Sequence, residues 1–278
     1  AASAEDAFDL LTSHFFLAWA LLHRGEWGAV RQSLQEGIAM AEKNEQHLWT
    51  VLFRLELAIL HLEAFDFQGT LKLTEPGVRQ SQEYRHPYGE MLGTILAGLA
   101  HLGLKRYPPA CRCLSEVSAR FERERLIMDW ILSMPLSLGW SQYRLAQSEF
   151  EAARAEAERV CELAAKPSER TYLALGHRLL AEIALRQRHW DKAQTELVKA
   201  LAVLEEAEAP LAAWRVYTLA AELYGEQGRK AEARRYRSHS AAIIDQLANS
   251  LDSGDPLRDS FLSAPPVRAV LDHTQGEG

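Results

Sequence analysis

Strand signals are almost absent from this 278-residue sequence. It has no Asn-Gly or Asp-Gly pair of the kind that closes tight β-hairpins, and it has few clusters of β-branched residues. No apolar run approaches the ~18 residues that a membrane-spanning helix needs. The opening residues Ala-Ala-Ser-Ala-Glu-Asp are polar and acidic, unlike a secretory signal. We therefore expect neither a β fold, nor a membrane span, nor export.

Cysteine is also scarce, and acidic residues outnumber basic ones. The three cysteines, Cys111, Cys113 and Cys161, are too few and odd in number for a disulfide framework. They favour a reducing compartment, so we expect a cytoplasmic protein. The formal net charge of −7 disfavours direct binding to DNA or RNA, which usually needs a basic surface.

Motifs of catalysis are missing as well. The sequence contains no Gly-rich phosphate loop, no Gly-x-Ser-x-Gly elbow and no His-Glu-x-x-His. Its histidines are scattered along the chain, whereas a metal site needs three or four convergent ligands. We therefore predict a protein that is not an enzyme and that holds no metal or other cofactor.

What the sequence does contain is a repeat. Six times, a turn residue that is usually aromatic lies three positions before a small residue, in steps of 40, 40, 43, 40 and 40. The six pairs are Trp27 with Val30, Phe67 with Thr70, Tyr107 with Ala110, Phe150 with Ala153, Trp190 with Ala193, and Lys230 with Ala233. A fixed period between 20 and 50 residues is typical of arrays in which each unit buries its apolar face against the next.

Apolar residues follow helical spacing within each unit. We interpret a unit as helix A, a tight turn and helix B, with the small residue about one turn into helix B, where it lets helix A approach closely. The predicted fold is all-α: a right-handed α–α superhelix of about six helix–turn–helix repeats of ~40 residues, covering residues 1–249.

Glycine and proline add detail to this interpretation. Gly25 and Gly228 suit the left-handed residue that ends a helix. Pro76 and Pro135 fall inside predicted helices, where proline breaks or bends the backbone.

The last part of the chain differs in composition from the repeats. Residues 250–278 are predicted to form two short helices, started by Pro256 and by Pro265, that cap the last repeat. From His273 onward we expect a disordered tail.

The unit resembles the tetratricopeptide repeat family. The fifth unit carries the resemblance best, through Leu180, Ala181, Trp190, Ala193, Leu197 and Ala200. The family's period is about 34 residues, so longer helices would have to absorb the surplus. Armadillo and HEAT arrays, with periods of about 40–47, are the alternative fold.

The extended unit is similar to the C-terminal arrays of large bacterial signalling ATPases, which couple a nucleotide-binding switch to a kinase, cyclase or DNA-binding output. The sequence starts at Ala1 rather than at methionine, so we expect it to be a piece of such a longer protein.

In tetratricopeptide arrays helix A forms the concave surface, and the resemblance implies a partner-binding face here. Its apolar part consists of Phe15, Trp19, Leu22, Leu52, Leu55, Ile59, Leu62, Leu92, Ile95, Leu99 and Leu102. Its polar part consists of Gln142, Arg178, Glu182, Arg186, Arg215 and Glu222. The apolar stripe is too hydrophobic for a bare surface. Either it is core, or it binds a partner helix, an upstream domain of the parent protein or a second copy of the chain.

Two functional hypotheses follow. The first is a protein–protein interaction and regulatory scaffold within a larger bacterial signalling or transcriptional regulator, binding protein rather than nucleic acid or membrane. The second is a small-molecule sensor for a sugar-like effector, recognised by Trp140, Gln142, Arg178, Glu182 and Trp214.

Overall fold

The computed structural model describes residues 4–123, 129–167 and 169–275, and the regular secondary structure of these residues is helical throughout. Their helices are α1 (Ala4–His23), α2 (Trp27–Lys43), α3 (His47–Glu63), α4 (Phe67–Glu83), α5 (Pro87–Gly103), α6 (Tyr107–Arg123), α7 (Asp129–Ala146), α8 (Phe150–Ala165), α9 (Arg170–Arg186), α10 (Trp190–Glu206), α11 (Pro210–Glu226), α12 (Lys230–Asn249), α13 (Pro256–Ser263) and α14 (Pro265–Gln275). Consecutive helices pack in pairs, so the fold is a helical-repeat array, as predicted.

The six turn residues mark the repeats. Each is the first residue of an even-numbered helix from α2 to α12. The small residue three positions later is buried in every case, with at most 3% of its surface exposed. Most helices have 17 residues, about one turn more than the tetratricopeptide unit would need, and this length accounts for the 40-residue period.

The turns share one hydrogen-bond pattern. After α1, the N–H of Gly25 donates to the carbonyl of Leu22, and the N–H of Glu26 donates to that of Leu21. This pairing requires a left-handed residue, and Gly25 and Gly228 have φ of 75° and 74°, as predicted. At the other turns of this kind a non-glycine residue takes the left-handed conformation: Glu45, Phe65, Arg85, Lys105, Ser148 and Arg188.

The two internal prolines do not break their helices. Pro76 lies within α4 and Pro135 within α7, and both helices run on past the proline. A break at Pro76 is therefore excluded, whereas the bends expected at Pro76 and Pro135 stay predictions.

The chain divides into two compact units by its contacts. The first contains residues 1–126 together with 250–261, and the second contains residues 127–249 together with 262–278. Helices α1–α6 form the first unit and α7–α12 with α14 the second. This division differs from the expected boundary at residue 249, because part of the C-terminal segment packs with the first repeats.

Residues 250–261 are anchored on α2 and on the turn before α4. The N–H of Trp27 donates to Oγ of Ser250 at 3.1 Å, and the N–H of Gly28 donates to its carbonyl at 3.1 Å. The ring of Phe261 is fully buried, with its centroid 4.8 Å from that of Trp27. Arg31 forms an ion pair with the buried Asp255. This segment therefore caps the first repeats rather than the last one.

Helix α14 does pack on α12, the last repeat helix, and buries Val267 and Val270. It continues through Gln275, so the tail predicted to be disordered from His273 is helical up to that residue, and residues 276–278 lie outside the described part. Across the described ranges, every helix is too short or too polar to cross a bilayer.

Candidate functional site

The predicted apolar face lies on α1, α3 and α5 of the first unit, but its residues divide into two groups. Five are buried with at most 9% exposed surface: Leu22, Leu55, Leu92, Ile95 and Leu99. The other six remain partly open to solvent: Phe15, Trp19, Leu52, Ile59, Leu62 and Leu102.

The first group belongs to the core rather than to a partner-binding surface. Leu55 shows why: its Cδ2 would lie 2.9 Å from a Cβ placed on Gly77 of α4 and 3.2 Å from one on Gly93 of α5. The side chain therefore fills the space between α4 and α5, which the two glycines leave open. The assignment of these five leucine and isoleucine residues to a surface groove is corrected accordingly.

The second group keeps an aromatic cluster at its N-terminal end. The ring of Phe15 lies 5.9 Å from that of Trp49 and 6.2 Å from that of Phe53, measured between centroids. Trp19 contacts the ring of His23 at 4.8 Å. Because Phe53 is fully buried, it supports the partly open ring of Phe15 from below.

One buried acid in this unit was missed by the sequence reasoning. Glu56 of α3 has only 3% of its surface exposed, and neither carboxylate oxygen has a hydrogen-bond partner. Burial raises the pKa of Glu56 well above its ordinary value of 4.5. Burial, together with the nearby Glu56, also raises the pKa of Tyr88 to about 12.

Aligning the units on their turn residues would have exposed this acid. The turn aromatic Phe67 lies 11 residues after Glu56, and the equivalent positions of the other units hold Phe16, Leu96, Gly139, Leu179 and Leu219. In such an alignment, Glu56 is the one carboxylate at a position where the other units have an apolar or small residue.

Four of the six residues predicted for the polar face lie close together in the second unit. The carboxylate of Glu182 pairs with Arg178 at 2.9 Å and with Arg186 at 3.2 Å, all three on α9. Desolvation of its carboxylate raises the pKa of Glu222 on α11, and the neighbouring Glu182 adds to the shift while Arg178 and Arg186 oppose it. The structure therefore brings these four predicted residues together, although Glu222 keeps an exposed surface.

The other residues predicted for the polar face and for sugar recognition do not form an open site with aromatic rings available for stacking. Gln142 is exposed on α7. Arg215 stacks over the ring of Trp214 at 4.5 Å, and Trp214 has only 3% of its surface exposed. Arg144 lies 5.3 Å from the ring centroid of Trp140. The two tryptophans proposed for sugar stacking thus have arginine partners, and Trp214 is buried.

A shallow groove of about 250 Å³ lies between α8, α9 and α10. Two charged residues of its lining are paired: Glu196 bonds to Nδ1 of His177 at 2.8 Å and to Lys199 at 2.6 Å, and Arg154 donates to Gln187 at 2.7 Å. Burial, with a smaller effect of Glu196, raises the pKa of the nearby Cys161 to about 12, so this thiol is protonated and unreactive at neutral pH.

In the part of the chain that the structure describes, no three His, Cys, Asp or Glu residues converge as metal ligands would.

These features define a helical-repeat protein with a partly apolar face on α1, α3 and α5 of one unit and an ion-paired face on α9 of the other. Among solved structures the chain is similar to "BtubC (BKLC) from P. vanneervenii", with 13% identity and a TM-score of 0.52. That similarity covers 76% of this chain and 90% of BtubC, and at this identity it shows the fold alone. No family model matches the chain, and no curated protein is similar enough in sequence to count as a relative.

Proposed function

We propose that this chain is a non-enzymatic interaction and regulatory module of tetratricopeptide type within a larger bacterial signalling or transcriptional regulator. It binds a helix or a domain of a protein partner through the inner face of the first unit. The observation that carries the proposal is the partly open row Phe15, Trp19, Leu52, Ile59, Leu62 and Leu102, which runs across α1, α3 and α5.

The chemistry of this row fits a helical partner. Its members recur at helical spacing on neighbouring parallel helices, so they offer ridges between which apolar side chains of an added helix can insert. The buried leucines beneath them hold these positions rigid, which lowers the entropy lost on binding. Trp19 is the largest member and the expected anchor of the interface.

A substitution at Trp19 tests this function. Trp19→Glu places a charge on the proposed interface, and we expect it to abolish co-purification of the partner from cells that produce the full-length protein. Val198→Glu is the matched control, because Val198 is 52% exposed on α10, away from the row. A partner that Trp19→Glu still retains would refute the proposed surface.

The second candidate function is sensing of a small ligand by the second unit. One observation favours it: Nε of Arg178 is buried without an acceptor, beside the carboxylates of Glu182 and Glu222. A ligand hydroxyl or carboxylate would satisfy this donor.

A thermal-shift screen separates the two functions. A ligand at 100 times its dissociation constant stabilises the folded state by about 2.7 kcal/mol, enough to raise Tm visibly. Sensing predicts a rise in Tm with one class of sugar or nucleotide. Arg178→Ala should remove this rise, and Arg112→Ala, at an exposed position of α6, should retain it. No shift with any class would leave the interaction module as the function.

A further inference from the structure

The first half of α12 is basic, although the chain as a whole is acidic. Residues 229–239 contain five lysine and arginine residues and one acid, Glu232, whereas the whole chain has a formal net charge of −7. The carboxylate of Glu232 pairs with Arg229 at 2.8 Å. It therefore neutralises Arg229 only, and this part of the helix keeps a local excess of positive charge.

Three of these cations lie on the solvent-exposed face of the helix. Lys230 and Arg234 are one helical turn apart, and Arg235 is followed one turn later by the exposed His239. Among the described residues, none of the three cations has an acidic partner in an ion pair. The next acid along the helix is Asp245, ~15 Å beyond Arg235. The surface formed by Lys230, Arg234, Arg235 and His239 is here called the α12 basic face.

A stack of tyrosine rings borders this face. The ring of Tyr236 on α12 is stacked on that of Tyr224 at 5.4 Å and on that of Tyr217 at 6.0 Å, both from α11. Arg229 lies over the ring of Tyr224 at 4.2 Å, and Arg235 lies 5.8 Å from the ring centroid of Tyr236. The faces of Tyr236 are therefore occupied by groups of the chain itself.

The stack contributes hydrogen-bond donors. Burial raises the pKa of Tyr217 and of Tyr236, and the nearby Glu205 adds to both shifts, whereas Arg235 opposes them. Their hydroxyl groups thus stay protonated at neutral pH, and they form no hydrogen bond to another residue of the described chain. Ammonium and guanidinium groups only donate. An occupant of this surface must therefore supply acceptors, and negatively charged ones fit best.

We propose that the α12 basic face, together with the hydroxyl groups of Tyr217 and Tyr236, binds a short acidic segment of a partner protein that is rich in Asp and Glu. Charge complementarity carries this assignment, because the face presents three cations without acidic partners on a chain that is otherwise acidic. The surface belongs to the second unit and is separate from the row that contains Trp19, so the inference goes beyond the proposed function.

Two other polyanions fit this surface less well. A nucleic acid stacks its bases on open aromatic faces, but those of Tyr236 are already occupied by Tyr224 and Tyr217. Its phosphates would also continue beyond the basic face over an acidic chain. An anionic membrane surface favours exposed apolar residues beside the cations, whereas the large exposed apolar residues of the described chain lie outside α11 and α12.

An acidic peptide tests the proposal. The probe is a fluorescein-labelled octapeptide of alternating Glu and Asp, and the matched probe has Gln and Asn in the same order. We expect the acidic peptide to bind the whole chain with Kd below about 1 mM at low salt, measured by anisotropy, and the neutral peptide to bind at least about tenfold more weakly. The affinity for the acidic peptide should fall as salt is added, because dissolved ions screen exposed charge pairs.

Variants of the protein locate the site. Combined Arg234→Gln and Arg235→Gln should weaken binding of the acidic peptide by at least about tenfold, and both residues are exposed, so the chain should stay folded. Tyr236→Phe keeps the ring, removes the hydroxyl group and should weaken binding by about threefold. Arg159→Gln is the matched control, because it removes an exposed arginine from α8 of the same unit and should leave binding unchanged. Trp19→Glu should also leave it unchanged, which separates failure here from failure of the proposed function.

Four results would overturn the proposal. The first is equal binding of the acidic peptide by wild type and by the double arginine variant, and the second is equal binding of the neutral peptide. The third is tighter binding of a twelve-residue oligothymidylate than of the acidic peptide, and the fourth is a dimer in sedimentation that the double variant dissociates. The same titration with the full-length protein identifies the source of the segment: retained binding supports a partner, whereas lost binding would place the occupant in the same polypeptide and would also overturn the proposal.

Discussion

Glu56 is an acidic residue at a buried position of α3. Its position is occupied by apolar or small side chains in the other repeats, and its two oxygens are buried without partners. A carboxyl group in such a place costs stability when it ionises, because desolvation opposes the charged form. Because Glu56 is buried, ionisation of its carboxyl group should lower the stability of the first unit.

This link predicts a dependence of stability on pH. The raised pKa means that the folded state keeps the proton of Glu56 above pH 4.5, where the unfolded state loses it. The free energy of unfolding should therefore fall by about 1.4 kcal/mol for each pH unit above 4.5, until the folded-state pKa is passed. Glu56→Gln should remove this contribution, so it should be more stable than wild type at pH 8 and similar to it at pH 4.

Guanidinium unfolding followed by circular dichroism from pH 4 to 8 measures the effect. Glu83→Gln is the control, because Glu83 is an exposed carboxylate in the same unit, and we expect it to leave the pH dependence unaltered. Equal stability of wild type and Glu56→Gln at pH 8 would show that the acid has a partner in solution.

At the scale of the element, the turns were the most predictable part of the chain. Each turn residue is the first residue of helix B, and the small residue three positions later is buried in every unit, as close packing of the pair requires. The same reasoning left open whether the apolar stripe is core, since periodicity identifies an apolar face but not which helix will cover it, and five of its residues are buried. Leu55 is core because Gly77 and Gly93 open space for it, and the periodicity within α3 does not show which glycines of the neighbouring helices lie opposite its side chain.

The left-handed turn residue gives a second prediction, independent of packing. Gly228 has φ of 74°, and no atom lies within 4 Å of a Cβ added to it. Gly228→Ala should therefore lower the free energy of unfolding by about 1 kcal/mol through backbone strain alone. The reverse change, Lys105→Gly at φ of 56°, should relieve strain and should be neutral or slightly stabilising, although it adds entropy to the unfolded chain.

Chemical denaturation of the two variants checks this pair of expectations. Gly254→Ala serves as reference, because Gly254 also has free space around its added Cβ and its φ lies outside the left-handed region. If Gly228→Ala and Gly254→Ala changed stability equally, strain at the turn would not be the cause.

For the molecule as a whole, the C-terminal segment decides how the first unit is completed. Residues 250–261 belong to that unit, although their sequence follows the last repeat. Phe261 packs between Trp27 and Phe65, with centroid distances of 4.8 Å and 6.2 Å. Composition alone identified the segment as separate, but only long-range contacts decide which repeat it caps, and no local pattern encodes them.

We predict that loss of this anchor weakens the first unit specifically. Phe261→Ala removes a fully buried ring and should lower stability by about 3–5 kcal/mol. Gly28→Ala should act in the same direction, because a Cβ there would overlap the carbonyl oxygen of Ser250. Hydrogen exchange measured by mass spectrometry should then rise in α2 and in residues 250–261.

The matched control lies within the same segment. Gly254→Ala adds a methyl group into open space, so it should leave exchange in α2 unaltered. The two destabilising variants act from opposite sides of one contact, Phe261 from the segment and Gly28 from α2, so a shared exchange pattern identifies the contact itself. Unchanged protection of α2 in both variants would mean that the first repeats hold together without the segment. In that case the ion pair between Arg31 and the buried Asp255 would add little to the stability of α2.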